Sequence, residues 1–294
     1  MSGVLVTGAT SYLGGKLVER LTANGTTVHA AVRAESDTMR LTALANPPVL
    51  HVLDGATESL CHMLSETEPD SVCHLASLYR REHEAADIGP MIDAVVGFGT
   101  QVLEAMRRAG TRRLVTLGSY FQFLDSEEPR AVNLYAAAKN AFDAILDYYE
   151  DALGIEATRL VLFEVYGEDD PRRKLMSVVR DAALGGTAVP LPARDMPLDL
   201  VHVDDAAEAI VHALDAGVTG GPYAIRSGEV MTVDTVVSAF EAETGTAIAR
   251  DRGAFTLPER HPSTLWDGPA LPGWQARVKL KHGVRRMLSA GDRG

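Results

Sequence analysis

Residues 5–21, LVTGATSYLGGKLVERL, pass from an apolar strand through a glycine-studded turn into an amphipathic helix with no spacer. Two architectures bind phosphate with such a start, and glycine spacing separates them. A P-loop needs four residues between its first glycine and a Gly-Lys pair, then Ser or Thr to hold magnesium. Counting back from Gly15-Lys16 puts Thr10 where that glycine belongs, and Leu17 follows the lysine. The stretch is not a P-loop. Gly8 and Gly14, six residues apart ahead of a helix, suit the first turn of a dinucleotide-binding fold. There the backbone approaches a pyrophosphate at a helix N-terminus, where free N–H groups and the helix dipole favour an anion. Ser11 takes the middle position, where glycine is usual, and adds a hydroxyl donor.

Short β-branched-rich runs recur at Val4–Val6, Val28–Val32, Val49–Leu53, Val72–Leu75, Leu114–Leu117 and Thr158–Leu162. Helical patterns fall near Glu58–Glu66, Met91–Ala109, Leu134–Leu153, Leu175–Leu184, Asp205–Ala216 and Val233–Thr244. This alternation predicts an α/β chain with a Rossmann-like, doubly wound parallel sheet. After Leu162 prolines and glycines loosen the rhythm, so a smaller C-terminal substrate-binding lobe is expected. The expected division gives 1–163 to the nucleotide-binding domain, with 199–226 returning to it, and 164–198 plus 227–294 to the lobe. PYAIRS (Pro222–Ser227) reads as the returning strand, and Arg250–Gly273 as loop.

With 294 residues, 46% of them hydrophobic, the chain can bury a sizeable core. No apolar run reaches the ~18 residues of a membrane span. No basic stretch with an apolar signal core precedes the first strand. The net charge of −12 speaks against a nucleic-acid partner, which needs a basic surface. Cys61 and Cys73 show no metal spacing and read as reduced core residues. The expectation is a cytoplasmic protein with no metal and no membrane partner. An anionic substrate would meet Arg80-Arg81 or Arg172-Arg173-Lys174.

The second strand, VHAAVR, ends in Arg33 without the carboxylate that accepts a ribose 2′-hydroxyl in NAD-preferring folds. A guanidinium there favours the 2′-phosphate of NADP. Tyr135 and Lys139 stand at i and i+4 in a helical stretch and share one face. An ammonium one turn from a phenol stabilises the phenolate and readies the hydroxyl for proton transfer. Tyr12 and Lys16 repeat the spacing, but Tyr12 lies in the glycine turn, where its ring is expected to line the cofactor site. Ser119 ends the fifth strand at the same carboxyl edge as the start of the Tyr135 helix, and its hydroxyl can donate to a reacting oxygen.

On VTGATSYLGG, VCHLAS, GSYFQF, NLYAAAK, LFEVYGEDDPR and DLVHVDDAAEA, the chain resembles the extended short-chain dehydrogenase/reductase superfamily, in its NAD-dependent epimerase/dehydratase branch. The last three segments most resemble nucleotide-sugar 4-ketoreductases of the CDP-abequose synthase type. The resemblance implies that Gly8, Thr10, Ser11, Tyr12 and Leu13 contact the pyrophosphate and nicotinamide side. It implies that Arg33 meets the 2′-phosphate, Asp54 the adenine, and Leu75, Ala76 and Ser77 the length of the cofactor. Ser119, Tyr135 and Lys139 would form the catalytic triad, Tyr135 and Lys139 also touching cofactor. Ser119, Tyr120, Tyr135 and Arg172 would meet substrate, Arg172 at its diphosphate. His202 and Asp204 would order the join between lobes. Glu164 stands where many relatives carry asparagine, and Leu198 where an arginine is common.

A dehydratase of this kind places an Asp-Glu pair after the catalytic hydroxyl, and here Tyr120 and Phe121 follow Ser119. An epimerase of this kind holds NAD tightly, whereas Arg33 points to exchangeable NADPH. The expected activity is therefore reduction of the ketone of a 4-keto-deoxy nucleotide sugar. Epimerisation or dehydration within the family, or a regulator that senses NADP without turnover, are the alternatives. A homodimer built on the two long helices is the oligomer that the resemblance implies.

Overall fold

A computed structural model describes residues 3–291; positions 1–2 and 292–294 of the expected domains lie outside the described residues. β1 (Val4–Thr7) turns into α1 (Tyr12–Ala23), followed by β2 (Val28–Arg33), the single-turn α2 (Met39–Thr42), β3 (Val49–Leu53), α3 (Thr57–Thr67) and β4 (Ser71–His74). A longer loop leads to α4 (Ile88–Ile92), a π-turn over Asp93–Gly97, α5 (Phe98–Ala109), β5 (Arg113–Ser119), α6 (Leu134–Leu153) and β6 (Glu156–Leu162). Then come β7 (Glu164–Tyr166), α7 (Leu175–Gly185), β8 (Val189–Leu191), β9 (Leu200–His202), α8 (Val203–Asp215) and β10 (Gly220–Ile225). The chain continues through α9 (Val233–Thr244) and β11 (Arg250–Arg252) to α10 (Leu280–Gly291).

Seven strands form one sheet in the order β3-β2-β1-β4-β5-β6-β10, every neighbouring pair parallel. The order reverses between β1 and β4, which opens a crevice at their carboxyl ends. Side chains alternate across the sheet. Val4 and Val6 pack with Leu17 and Leu21 of α1 and with α8, while Leu5 points the other way into α3, α5 and α6. Leu17 and Leu21 are fully buried, each worth about 1.5–3 kcal/mol relative to an exposed position. Helices α5 and α6 approach closely because Gly99 has no side chain: a Cβ there would lie 2.4 Å from the Phe142 ring.

The second core gathers Tyr166, α7, β8, α9 and Val284 and Met287 of α10. Two parts of it depart from the sequence expectation. Arg250–Arg252, expected as loop, pairs in parallel with β8, and the helix α10 had no predicted counterpart. Nor does the stretch after α9 keep to the lobe. Trp266 stacks on Phe123 with 4.2 Å between ring centroids, and Leu271 is buried against the main sheet core.

Candidate functional site

Because the sheet is parallel, all its strands deliver their carboxyl ends to one edge. Gly8 follows β1, Arg33 ends β2, Asp54 follows β3, Leu75, Ala76 and Ser77 follow β4, and Ser119 ends β5. In the first turn Gly8 has φ +69°, and a Cβ there would lie 2.7 Å from the Ala76 nitrogen. A Cβ on Gly14 would lie 2.1 Å from the Gly8 carbonyl oxygen. Both positions thus require glycine. Ser11 caps α1 by accepting the Gly14 N–H on Oγ at 3.0 Å. The amides of Tyr12 and Leu13, in the first helical turn, have no carbonyl a turn behind them within the helix. This bare, positively polarised helix start beside an exposed Thr10 fits a dinucleotide pyrophosphate.

The other cofactor candidates spread along that edge. The Arg33 side chain is 78% exposed, with Nε 3.2 Å from Glu35 Oε1. Leu53, paired in register with Arg33, brings Asp54 beside it. Asp54 Oδ1 accepts the Ala56 N–H at 2.9 Å, and hydrogen bonds from Ser59 and Ala56 hold its carboxyl below the usual carboxylate range. Tyr12, in the glycine turn, reaches the segment that follows β7. Its ring is buried, its hydroxyl donates to the Glu168 carbonyl at 2.8 Å, and the Arg172 guanidinium lies 5.1 Å above it.

Asn133 caps α6 by accepting the Ala136 N–H at 3.0 Å, which fixes the helix start just ahead of Tyr135. Lys139, 4% exposed, donates to the Leu117 carbonyl of β5 at 2.8 Å, and its Nζ lies 5.9 Å from the Tyr135 ring centroid. Ser119 lies two residues beyond Leu117 on that strand. Its Oγ accepts the Phe121 N–H at 3.3 Å, which leaves the hydroxyl proton to donate elsewhere. The three expected catalytic residues therefore belong to two elements, β5 and α6, that Lys139 ties together.

A cavity of about 1070 Å³ opens between the two cores; Tyr120 and Leu134, the chain neighbours of Ser119 and Tyr135, line it, whereas Ser119, Tyr135 and Lys139 themselves do not. Tyr79, which lines it, stands edge-on to Tyr135 with 5.1 Å between centroids. Burial, then the nearby Glu164 carboxylate, pushes the Tyr79 hydroxyl up to about 12. Tyr120, next to Ser119, lines the same wall and stacks on Phe163. Its hydroxyl lies 3.5 Å from Glu164 Oε1, and Lys174 Nζ lies 2.9 Å from Oε2. Burial pushes the Glu164 carboxyl up, but Lys174 and Arg172 outweigh it and hold the group ionised. Sequence reasoning noted Glu164 only as a departure; the carboxylate in fact lines the cavity as half of an ion pair.

Arg172 does not line this cavity. It grips Asp170, Nε and Nη2 each 2.7 Å from a carboxylate oxygen. Its neighbour Arg173 does line it, with Arg81 and Arg260. Arg81 covers the Phe255 ring at 4.7 Å, and Arg260 donates to the Ala131 carbonyl at 2.6 Å. Glu82, Glu164 and Lys174 add further charge to the lining, and one stretch of wall is apolar, with Met176, Met196, Leu198, Leu200 and Val233.

Residues 4–225 match the family described as the NAD dependent epimerase/dehydratase family. Over 160 residues the chain is 31% identical to the CDP-abequose synthase of Yersinia pseudotuberculosis, a stretch covering 54% of this chain and 56% of that protein. It is 30% identical to the UDP-glucose 4-epimerase of Mycolicibacterium smegmatis, over 97% of this chain and 96% of the relative. The structure of the Thermus thermophilus UDP-glucose 4-epimerase in complex with NAD is similar, with TM-score 0.80 and 26% identity over 98% of each chain.

Proposed function

The chain belongs to the NAD dependent epimerase/dehydratase family, and from that premise we propose that it reduces the C4 ketone of a 4-keto-deoxy nucleotide sugar with NADPH. The observation that carries the reading is Lys139 of α6, which donates to the Leu117 carbonyl on the strand that ends in Ser119 and lies 5.9 Å from the centroid of the Tyr135 ring on its own helix. When bound, the dinucleotide supplies the two electrons, as a hydride. The chain supplies the rest. Tyr135 gives its hydroxyl proton to the carbonyl oxygen as that oxygen gains charge, Lys139 stabilises the phenolate left behind, and Ser119 donates a hydrogen bond to the same oxygen. Carbonyl, hydride and proton sum to the alcohol. Arg173, Arg81 and Arg260 give the cavity the positive charge that a diphosphate needs, and Arg172 leaves that role to them.

Arg33 supports NADPH over NADH, and the lack of a carboxylate at Tyr120 and Phe121 speaks against dehydration. Glu35, paired with Arg33, favours a second reading. A carboxylate that near the end of β2 can accept ribose hydroxyls, as in an epimerase that keeps NAD, the cofactor in the Thermus relative. The two separate in one assay. Mixed with 4-keto-6-deoxy and 4-keto-3,6-dideoxy nucleotide sugars, the protein is expected to oxidise NADPH faster than NADH, and Arg33→Ala to erase the preference. Interconversion of UDP-sugars without net cofactor oxidation would establish the epimerase instead. Tyr135→Phe should lower turnover by about 10²–10⁴-fold while NADPH still binds; near wild-type rates would end the assignment. As the family resemblance implies, the proposal extends to a cytoplasmic homodimer packed through α5 and α6; Tyr148 of α6, 59% exposed, supports a partner on that face. Light scattering should give twice the chain mass.

A further inference from the structure

Ser119 is held from behind by a side chain that the proposed chemistry does not use. Gln122, 2% exposed, accepts the Ser119 N–H on Oε1 at 2.8 Å. Its Nε2 gives one proton to Asn140 Oδ1 at 2.8 Å and the other to Asp143 Oδ2 at 2.7 Å. An amide engaged at its oxygen and both protons has a single orientation. Flipped, it would set N–H against the Ser119 N–H and oxygen against two acceptors. Gln122 can reach back only because Gly118 lacks a side chain: a Cβ there would lie 2.5 Å from Oε1.

The two acceptors stand on α6, the helix that carries Tyr135 and Lys139. Asp143 follows Lys139 by four residues, so it shares that face one turn further along. Across from it Arg159 Nε lies 4.0 Å from Oδ1. Gln122 therefore ties the end of β5 to α6 by a second strap, separate from the Lys139–Leu117 bond.

We propose that Gln122, oriented by Asn140 and Asp143, is a positioning residue that sets the Ser119 hydroxyl relative to the Tyr135 hydroxyl. The proposal rests on the reading of Ser119, Tyr135 and Lys139 as a carbonyl-reducing site. Displacing a hydrogen-bond donor by 1 Å can slow a reaction by about 10²-fold, so the strap acts on turnover more than on substrate affinity.

Three variants test it: Gln122→Met, which keeps the length and loses the amide; Asp143→Ala, which removes one acceptor; and Asp143→Asn, which keeps an acceptor oxygen. Gln122→Met and Asp143→Ala are expected to lose about 30-fold in kcat, with KM and the NADPH Kd within about threefold of wild type. Asp143→Asn is expected to restore kcat to within about threefold. Amide hydrogen exchange at Ser119 reads the strap with no substrate present: it should quicken in Gln122→Met and Asp143→Ala and stay slow in Asp143→Asn. Unchanged kcat in the first two variants, a loss confined to KM, unchanged Ser119 exchange, or an Asp143→Asn as slow as Asp143→Ala would each overturn the proposal. A wild-type protein that turns over no keto-sugar defeats the functional reading, and Ser119 exchange then still decides whether the strap holds. If Gln122→Met fails to fold, Asp143→Ala carries the test, since it leaves the glutamine in place.

Discussion

His74 ends β4 with its ring 1% exposed between Phe98 and Phe142, and its Nδ1 lies 2.9 Å from Thr7 Oγ1. Thr7 accepts the Ala76 N–H on that oxygen at 3.2 Å, so its proton is left for Nδ1. Burial, reinforced by Lys139, pushes the imidazole from 6.5 down to about 3. The unfolded chain takes up this proton below pH 6.5, whereas the folded one resists until about 3. Stability from the neutral ring is thus complete above pH 6.5 and is lost progressively as pH falls toward 3, by about 1.4 kcal/mol per unit. Denaturant unfolding at a series of pH values should show that slope in wild type, and His74→Asn should flatten it. An equal slope in both proteins would place the acid sensitivity elsewhere. The residues that sequence could name are those whose spacing is local. Tyr135 and Lys139 share a helix face, and Ser119 ends a strand. Gln122 and Asp143 stand 21 residues apart and meet only because β5 and α6 pack together, so no period in the chain announces them.

Most of the parallel sheet was legible because β1 to β6 centre on short apolar runs set among helices. β10 opens on Gly220, Gly221 and Pro222 and was readable only from Pro222 onward. The short strands outside that sheet were not legible. β7, β8, β9 and β11 have three residues each, too few for an alternation to register, and Pro190 sits inside β8. β11 owes its place to side chains as much as to its ladder. Arg250 donates to Asp234 at 2.9 Å and to both oxygens of Glu241, at 2.9 and 3.0 Å, which ties the strand to α9. These bonds hold the Glu241 carboxyl down to about 2, from an ordinary 4.5. A depressed carboxyl stabilises the fold above its unfolded value, and the gain fades as pH falls from 4.5 to 2. Arg250→Ala should therefore melt earlier than wild type at pH 7, by a difference of about 1 kcal/mol. That gap should close as the pH is lowered through the same window. A gap that persists at pH 2 would assign the effect to lost packing of the arginine stem.

Across the whole molecule, the turn expected to hold the cofactor is joined to the last helix by one polar network. Tyr12 at the start of α1 donates to the Glu168 carbonyl, and the Glu168 carboxylate pairs with Arg286 of α10 and lies 3.0 Å from His202 Nε2. Arg286 also reaches Asp204 at 2.5 Å, and the Asp204 N–H donates to His202 Nδ1 at 3.2 Å. With Nδ1 accepting, His202 carries its proton on Nε2 and gives it to Glu168; burial and Arg286 push its pKa down and keep it neutral. His202 and Asp204 were expected to order the join between lobes, but Glu168 and Arg286 carried no signal in the sequence, since 118 residues separate them. Removing the arginine leaves two carboxylates facing each other around a neutral imidazole. Arg286→Met should lower stability by about 1–2 kcal/mol, less than for a fully buried pair, because the Arg286 side chain is 41% exposed. The disturbance should travel along Glu168 to Tyr12 and weaken binding of the nicotinamide cofactor more than it slows turnover. Thermal melts and a fluorescence titration with NADPH measure both, with Arg286→Lys expected to recover part of each. A lowered melting temperature with an unaltered NADPH Kd would mean that α10 supports the lobe without reaching the cofactor turn.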